Sequence, residues 1–261
     1  WIGWDGETQA SVDVEESHTD FTELPNGNIV TLVRTYRELT SGDGSQQLVM
    51  GDGLVEVSRS GEVSPVWDIF DELSPELEPA MNALKSFSHA NSVSYHAESD
   101  DFLVSLANFN SIVRIDHSSG SLIWELANQD AALVATGEAG EDVIIAPHSA
   151  ELLAEDSLLL FNRNYDDSGE TPITDMCSEA IVLSLDLDAA EAVEVSSYGS
   201  DDCVLVVFFG EAIPMDNGNT RVIFSSSGQM SEGTPQGETV WQLNTAIGGA
   251  FGFGDWGELL P

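Results

Sequence analysis

The chain has 261 residues, 42% of them hydrophobic, and carries 46 Asp and Glu against 7 Lys and Arg for a net charge of −39. The apolar fraction is enough for a packed core and excludes simple disorder. A surface this acidic repels phosphate backbones and anionic headgroups, and residues 204–209 and 158–161, the longest apolar runs, fall far short of the roughly 20 residues of a membrane helix.

The seven basic residues are scattered, with Lys85 the single lysine. Neither a nucleic-acid partner nor membrane insertion is expected, and the acidity reads as a solubilising surface suited to salty surroundings. The chain opens at Trp1 without a charged or apolar leader, so any export signal lies outside it.

Taken in chain order, the sequence alternates between two kinds of strand pair. Trp4, followed by Asp5-Gly6-Glu7, looks like the tail of a repeat whose beginning is missing. Residues 18–33 (HTDFTELPNGNIVTLV) read as strand, polar turn, strand, with an Asn-Gly pair suited to a tight hairpin. Residues 54–67 (LVEVSRSGEVSPVW) give a second hairpin closing on a Trp. Residues 68–88 form an insertion in which 75–86 (PELEPAMNALKS) is the one helical candidate. The pair of hairpins then returns as 89–106 and 112–124, the latter again ending in Trp. A third return begins with 148–161; its second hairpin, 181–195, keeps the alternation but lacks the Trp. The fourth comprises 209–224, with another Asn-Gly turn, and 230–241, ending in Trp241.

The tryptophans thus recur at about 58 residues or twice that, and four strands per period is the arithmetic of propeller blades. The fold expected is an all-β propeller of four-stranded blades forming a single domain over 1–261, with four to five repeats readable and the first blade incomplete. Trp67, Trp124 and Trp241 are expected to fill the wedge between sheets.

Three of the five histidines, His18, His89 and His148, hold the same position at the head of the first strand pair. On the innermost strand of a propeller this register gathers imidazoles near the central channel. His96 and His117 fall in turns and are expected to be solvent-exposed. Cys177 and Cys203 belong to no C-x-x-C pair. They either close a disulfide, which would suit an extracytoplasmic protein, or are two unrelated core residues. Unclosed strand edges would invite self-assembly.

The ordered set HTDFTELPNGNIV, HANSVSY, PHSAEL…LLLFNRN and NGNTRVIF…TPQGETVWQL resembles the bacterial arylsulfotransferase family, from about Trp4 to the C-terminus. The resemblance implies a six-bladed propeller exported to the periplasm or cell surface. It also implies PAPS-independent transfer of a sulfuryl group from a phenolic sulfate to a phenol through a sulfated histidine. His89 matches the His of the HANS segment, His148 the His opening the next blade, and Arg163 lies near the family's Arg; these three are the catalytic candidates. His18, Asn91 and Asn162 are the substrate-binding candidates. No cofactor and no metal are implied, and the partners are small phenols and their sulfates. Two departures stand out. The family's nucleophilic His comes from a later blade, whereas no histidine follows Arg163 here and the fourth slot reads Phe209-Gly210-Glu211. Fewer repeats are readable than six. The alternative is a non-catalytic extracellular propeller serving as a binding or assembly module. A quinoprotein dehydrogenase is a weaker fit, with no vicinal cysteines and no metal cluster.

Overall fold

Alternating apolar and polar residues become four-stranded antiparallel meanders in the computed structural model. It describes residues 1–2, 6–40, 42, 44–73, 86–137, 141–165, 176–199, 203–247 and 250–251. The first blade is β1 (Ser17–Glu23), β2 (Ile29–Thr40), β3 (Gln46–Val57) and β4 (Val63–Asp68), paired in chain order. The second is β5 (Ala90–His96), β6 (Asp101–Leu106), β7 (Ser111–Asp116) and β8 (Leu122–Ala127). After β9 (Leu133–Ala135) come β10 (Pro147–Ala154), β11 (Ser157–Asn162), β12 (Glu179–Asp186) and β13 (Glu191–Gly199). The fourth blade is β14 (Glu211–Pro214), β15 (Thr220–Phe224), β16 (Gln229–Gly233) and β17 (Thr239–Asn244). The fold is an all-β propeller of four-stranded blades, and each expected hairpin is a strand pair.

The chain divides into two compact units, Trp1–Val104 with Arg114–Ile123, and Ser105–Val113 with Trp124–Pro261. The first holds the β1–β4 blade, the second the β10–β13 and β14–β17 blades, and the β5–β8 blade supplies residues to both. In the first unit the Asn-Gly turn of β1 and β2 is fastened to β3: Asn28 donates to Glu56 at 2.5 Å. The fourth blade repeats the device, with Asn219 donating to Glu232 at 2.6 Å. In both, Asn and Gly supply the turn and a glutamate on the third strand anchors it, a pairing the sequence reading did not mark.

In the second unit Leu159, Phe161, Ala180, Tyr198, Val222 and Phe224 join one buried cluster from β11–β13 and β15. The degenerate third repeat explains itself here. Its fourth strand, β13, carries Tyr198, 5% exposed, whose hydroxyl meets Thr239 Oγ1 at 3.1 Å. Gly233 makes room for that ring, since a Cβ there would collide with Tyr198. Trp67 and Trp124 are buried as expected, whereas Trp241 is half-buried and donates its indole N–H to Glu232 at 2.7 Å.

Some expectations need amending. Within the 68–88 insertion the described helix is one turn, α1 (Ile69–Glu72), capped by Asp68, whose carboxylate accepts from Phe70 N at 3.0 Å. The expected helix over 75–86 lies, except for Ser86, outside the described residues, as does Trp4. Strand β9 was not expected: three residues pair in parallel with both β8 and β13, which short apolar runs do not announce. His96 and His117 are half-buried, not solvent-exposed. His96 Nδ1 meets Ser99 Oγ at 2.7 Å. His117 lies 2.7 Å from Asp100 and 3.2 Å from Glu56, its ring edge-on to Phe102. Turn position predicts exposure only when no carboxylate from a neighbouring strand recruits the side chain.

Candidate functional site

The head of each blade's first strand is irregular where the histidines stand. Thr19, His89, Ser149 and Phe209 have φ of 56°, 50°, 50° and 60°, in the left-handed region that side chains with a Cβ rarely enter. The ladder shifts between Ser17 and Phe21 and again between His148 and Ala150. Extra residues of this kind re-aim side chains at strand ends, and left-handed non-glycine residues cost about 1–3 kcal/mol each, so surrounding contacts must hold them.

In the first unit the holding group is Asp52 on β3, 1% exposed. One carboxylate oxygen lies 3.2 Å from His18 Nε2. The other accepts from Ser86 Oγ and Ser88 Oγ, both at 2.5 Å, and from Ala90 N at 2.8 Å. Burial alone pushes the Asp52 carboxyl up, but the donors of His18, Ser86, Ser88 and Ala90 outweigh it and hold it below the usual carboxylate range. His18 Nδ1 meets Thr19 Oγ1 at 2.8 Å, so both ring nitrogens have neighbours within the protein. His89 is exposed, and its backbone N–H donates to Ser86 Oγ at 3.0 Å. Asn91 is buried on β5.

The second unit holds His148 and Arg163. Pro147 and Asn162 are partners across β10 and β11, as are His148 and Phe161, so Arg163 follows directly where the strand carrying His148 begins. Arg163 is 7% exposed; it donates Nε to Ala146 O at 2.8 Å and Nη1 to Val207 O at 3.0 Å. Burial pushes its guanidinium down, with nearby Tyr165 acting in the opposite sense. Among the described residues no carboxylate forms an ion pair with it. His148 is 9% exposed, and its ring meets the ring of Phe209 edge-on, centroids 6.4 Å apart. The third and fourth slots therefore face each other, and Phe209 stands where a fourth histidine would.

The segment running into His148 is fixed by asparagines. Asn128 accepts from Val143 N and Ile144 N at 3.0 and 2.9 Å and donates to Ile144 O at 2.7 Å. Asn110 accepts from Ala146 N at 2.7 Å. Asn162 accepts from Ile145 N at 2.8 Å and donates to Val143 O and Asn164 Oδ1, both at 2.7 Å. Asn162, expected to touch substrate, has both amide hydrogens occupied within the fold. Asp52, Asn110 and Asn128 went unmarked in the sequence. Asn110 and Asn128 bind distant backbone groups, Asp52 binds distant side chains and one backbone N–H, and no local pattern signals either.

Cys177 and Cys203 are disulfide-bonded, Cα atoms 4.9 Å apart. The bond adjoins the arginine: Ser178 Oγ donates to Arg163 O at 2.7 Å, and Val206 N donates to Ser178 Oγ at 2.8 Å. Among the described residues no three His, Cys, Asp or Glu side chains gather as a metal site. A buried guanidinium held by carbonyls at the start of the strand that carries His148 is suited to a small anion.

A family model for arylsulfotransferases matches residues 6–244, and the chain belongs to that family. No curated protein matches the sequence. Among solved structures the chain is similar to Sqt1 of Saccharomyces cerevisiae at 9% identity, TM-score 0.45, over 87% of this chain and 48% of that one. It is also similar to virginiamycin B lyase from Staphylococcus aureus, at 9% identity and TM-score 0.44 over 91% and 73%. A third likeness is an auxiliary nutrient binding protein from Bacteroides ovatus, at 10% identity and TM-score 0.46 over 88% and 48%. The chain thus spans about half the length of the yeast and Bacteroides proteins.

Proposed function

We propose that this chain transfers sulfuryl groups from a phenolic sulfate ester to a phenol, without PAPS, through a sulfated histidine. The observation that carries the reading is Arg163, a buried cation held by backbone carbonyls and sited where the strand of His148 begins. In a protein of net charge −39 such a cation supplies the local attraction that an anionic ester needs.

Sulfuryl transfer parallels phosphoryl transfer: little covalent work falls to the protein beyond a nucleophile, charge stabilisation on the peripheral oxygens and a proton for the leaving group. A ring nitrogen of neutral His148 attacks sulfur, the N–S bond forms, and the S–O bond to the aryl group breaks. The departing phenolate leaves with the electron pair and takes up a proton. The acceptor phenol then attacks sulfur through oxygen and loses its proton, and the N–S electrons return to the imidazole. Arg163 balances charge on the sulfuryl oxygens throughout. His148 takes the nucleophile's role because no histidine follows Arg163 and the fourth slot reads Phe209-Gly210-Glu211.

The disulfide accords with an extracytoplasmic location, where such bonds persist. Transfer from 4-nitrophenyl sulfate to phenol, compared between the native protein and His148→Ala, tests the reading. Release of 4-nitrophenol at least 100-fold faster in the native protein is expected. Equal background rates would leave a non-catalytic binding module.

A further inference from the structure

We infer that Asp52 is a positioning residue that ties the first histidine slot to the second: it fixes the tautomer of His18 and, through Ser86, Ser88 and Ala90, the backbone that presents His89. His18 on this account acts through Asp52 and not on substrate.

The bonds of Asp52 divide cleanly between its two oxygens. Oδ2 accepts three donors from the segment 86–90, Ser86 Oγ, Ser88 Oγ and Ala90 N. These flank His89, whose φ of 50° is costly for a residue with a Cβ and persists only when its neighbours are pinned. Ser86 Oγ also accepts from His89 N at 3.0 Å and lies 3.1 Å from Ser88 Oγ. Oδ1 is left for His18 Nε2 at 3.2 Å. A carboxylate only accepts, and the Thr19 hydroxyl 2.8 Å from Nδ1 can donate, so the Nε2–H tautomer of a neutral His18 turns its proton toward Asp52 at ion-pair distance, without the alignment of a hydrogen bond. With Nδ1 on Thr19 and Nε2 facing Asp52, His18 has the geometry of an orienting group. At 1% exposure an unpaired Asp52 carboxylate would be strongly disfavoured, which accounts for a donor at that place in the first blade.

The test uses the whole protein with nitrogen-15 labelling, recorded at alkaline pH. Native His18 is expected in the Nε2–H form. Asp52→Asn is isosteric: its carbonyl keeps the three donors from 86–90, and its amide nitrogen donates to Nε2, which drives the His18 proton to Nδ1 with Thr19 as acceptor. The amide resonances of His89 and Ala90 shift in the same variant. A native Nδ1–H tautomer would overturn the inference, as would a tautomer and His89 resonances unchanged in Asp52→Asn. His18→Ala should shift the His89 and Ala90 amide resonances as well, and His18→Gln, whose amide N–H can stand in for Nε2–H, should return them toward their native positions. His89 and Ala90 resonances indifferent to His18→Ala would overturn the link between the two slots. Should Asp52→Asn not fold, the native tautomer and the two His18 variants decide the inference.

Discussion

Removing the Cys177–Cys203 bond perturbs stability and site together, by an amount that follows from the chain separation. The cysteines lie 26 residues apart. Cross-linking a loop of that length removes denatured-state entropy worth about 3.5 kcal/mol at 25 °C. Cys203 is exposed, so the bond can also be opened by reductant. Four residues beyond it, Val207 O accepts from Arg163 Nη1, and the intervening chain is held by Ser178 N donating to Val204 O at 2.9 Å. Freeing Cys203 therefore loosens one of the two carbonyls that orient the arginine. Urea unfolding of the oxidised protein and of a Cys177→Ala, Cys203→Ala double variant should differ by about 3–4 kcal/mol. KM for an aryl sulfate should rise in the variant while its folded structure persists. A difference below about 1 kcal/mol would refute the entropic argument, and an unchanged KM would refute the link to Arg163.

Three further outcomes are expected. Gly210 has φ of 112° and a Cβ there would collide with the Phe161 ring, so Gly210→Ala should cost about 2–5 kcal/mol in chemical denaturation; a native midpoint would contradict the packing. His117 is pulled down by burial, but Asp100 and Glu56 outweigh this and raise it above its ordinary 6.5. A raised histidine stabilises fully below about pH 6.5 and loses that contribution as pH climbs through the folded value, so thermal stability should drop as pH rises above about 6.5. His117→Gln should flatten that drop, and an identical pH profile would contradict the clamp. The melting temperature should climb with potassium chloride concentration as cations screen the −39 charge; a flat or falling trend would count against a salt-adapted surface.

The blades were legible because period-2 alternation, Asn-Gly turns and a recurring Trp are all local signals. Residues 181–195 could be read as a hairpin without their Trp, since alternation survives even where Tyr198 has taken over the packing role. That His18, His89 and His148 stand at strand heads is a sequence property too, although the left-handed residue is His89 itself in one blade and the residue after the histidine in the other two. What the sequence withheld is pairing across long separations. Asp52 reads as an acid in a β-strand, yet it binds groups 34 to 38 residues away. Asn128 and Asn162 read as loop and strand-end residues, and only the folded chain shows them clasping the backbone before His148. His117 reads as a turn residue for the same reason, its carboxylate Glu56 lying 61 positions earlier.

The central claim is that His148 carries the sulfuryl group between donor and acceptor. Rapid quenching of the protein with excess 4-nitrophenyl sulfate and no acceptor, followed by peptide mass spectrometry under alkaline conditions, reads it directly. The account predicts an acid-labile sulfuryl adduct on the peptide bearing His148, discharged when phenol is added and missing in His148→Ala. An adduct confined to another residue, or turnover with none formed on His148, would contradict it.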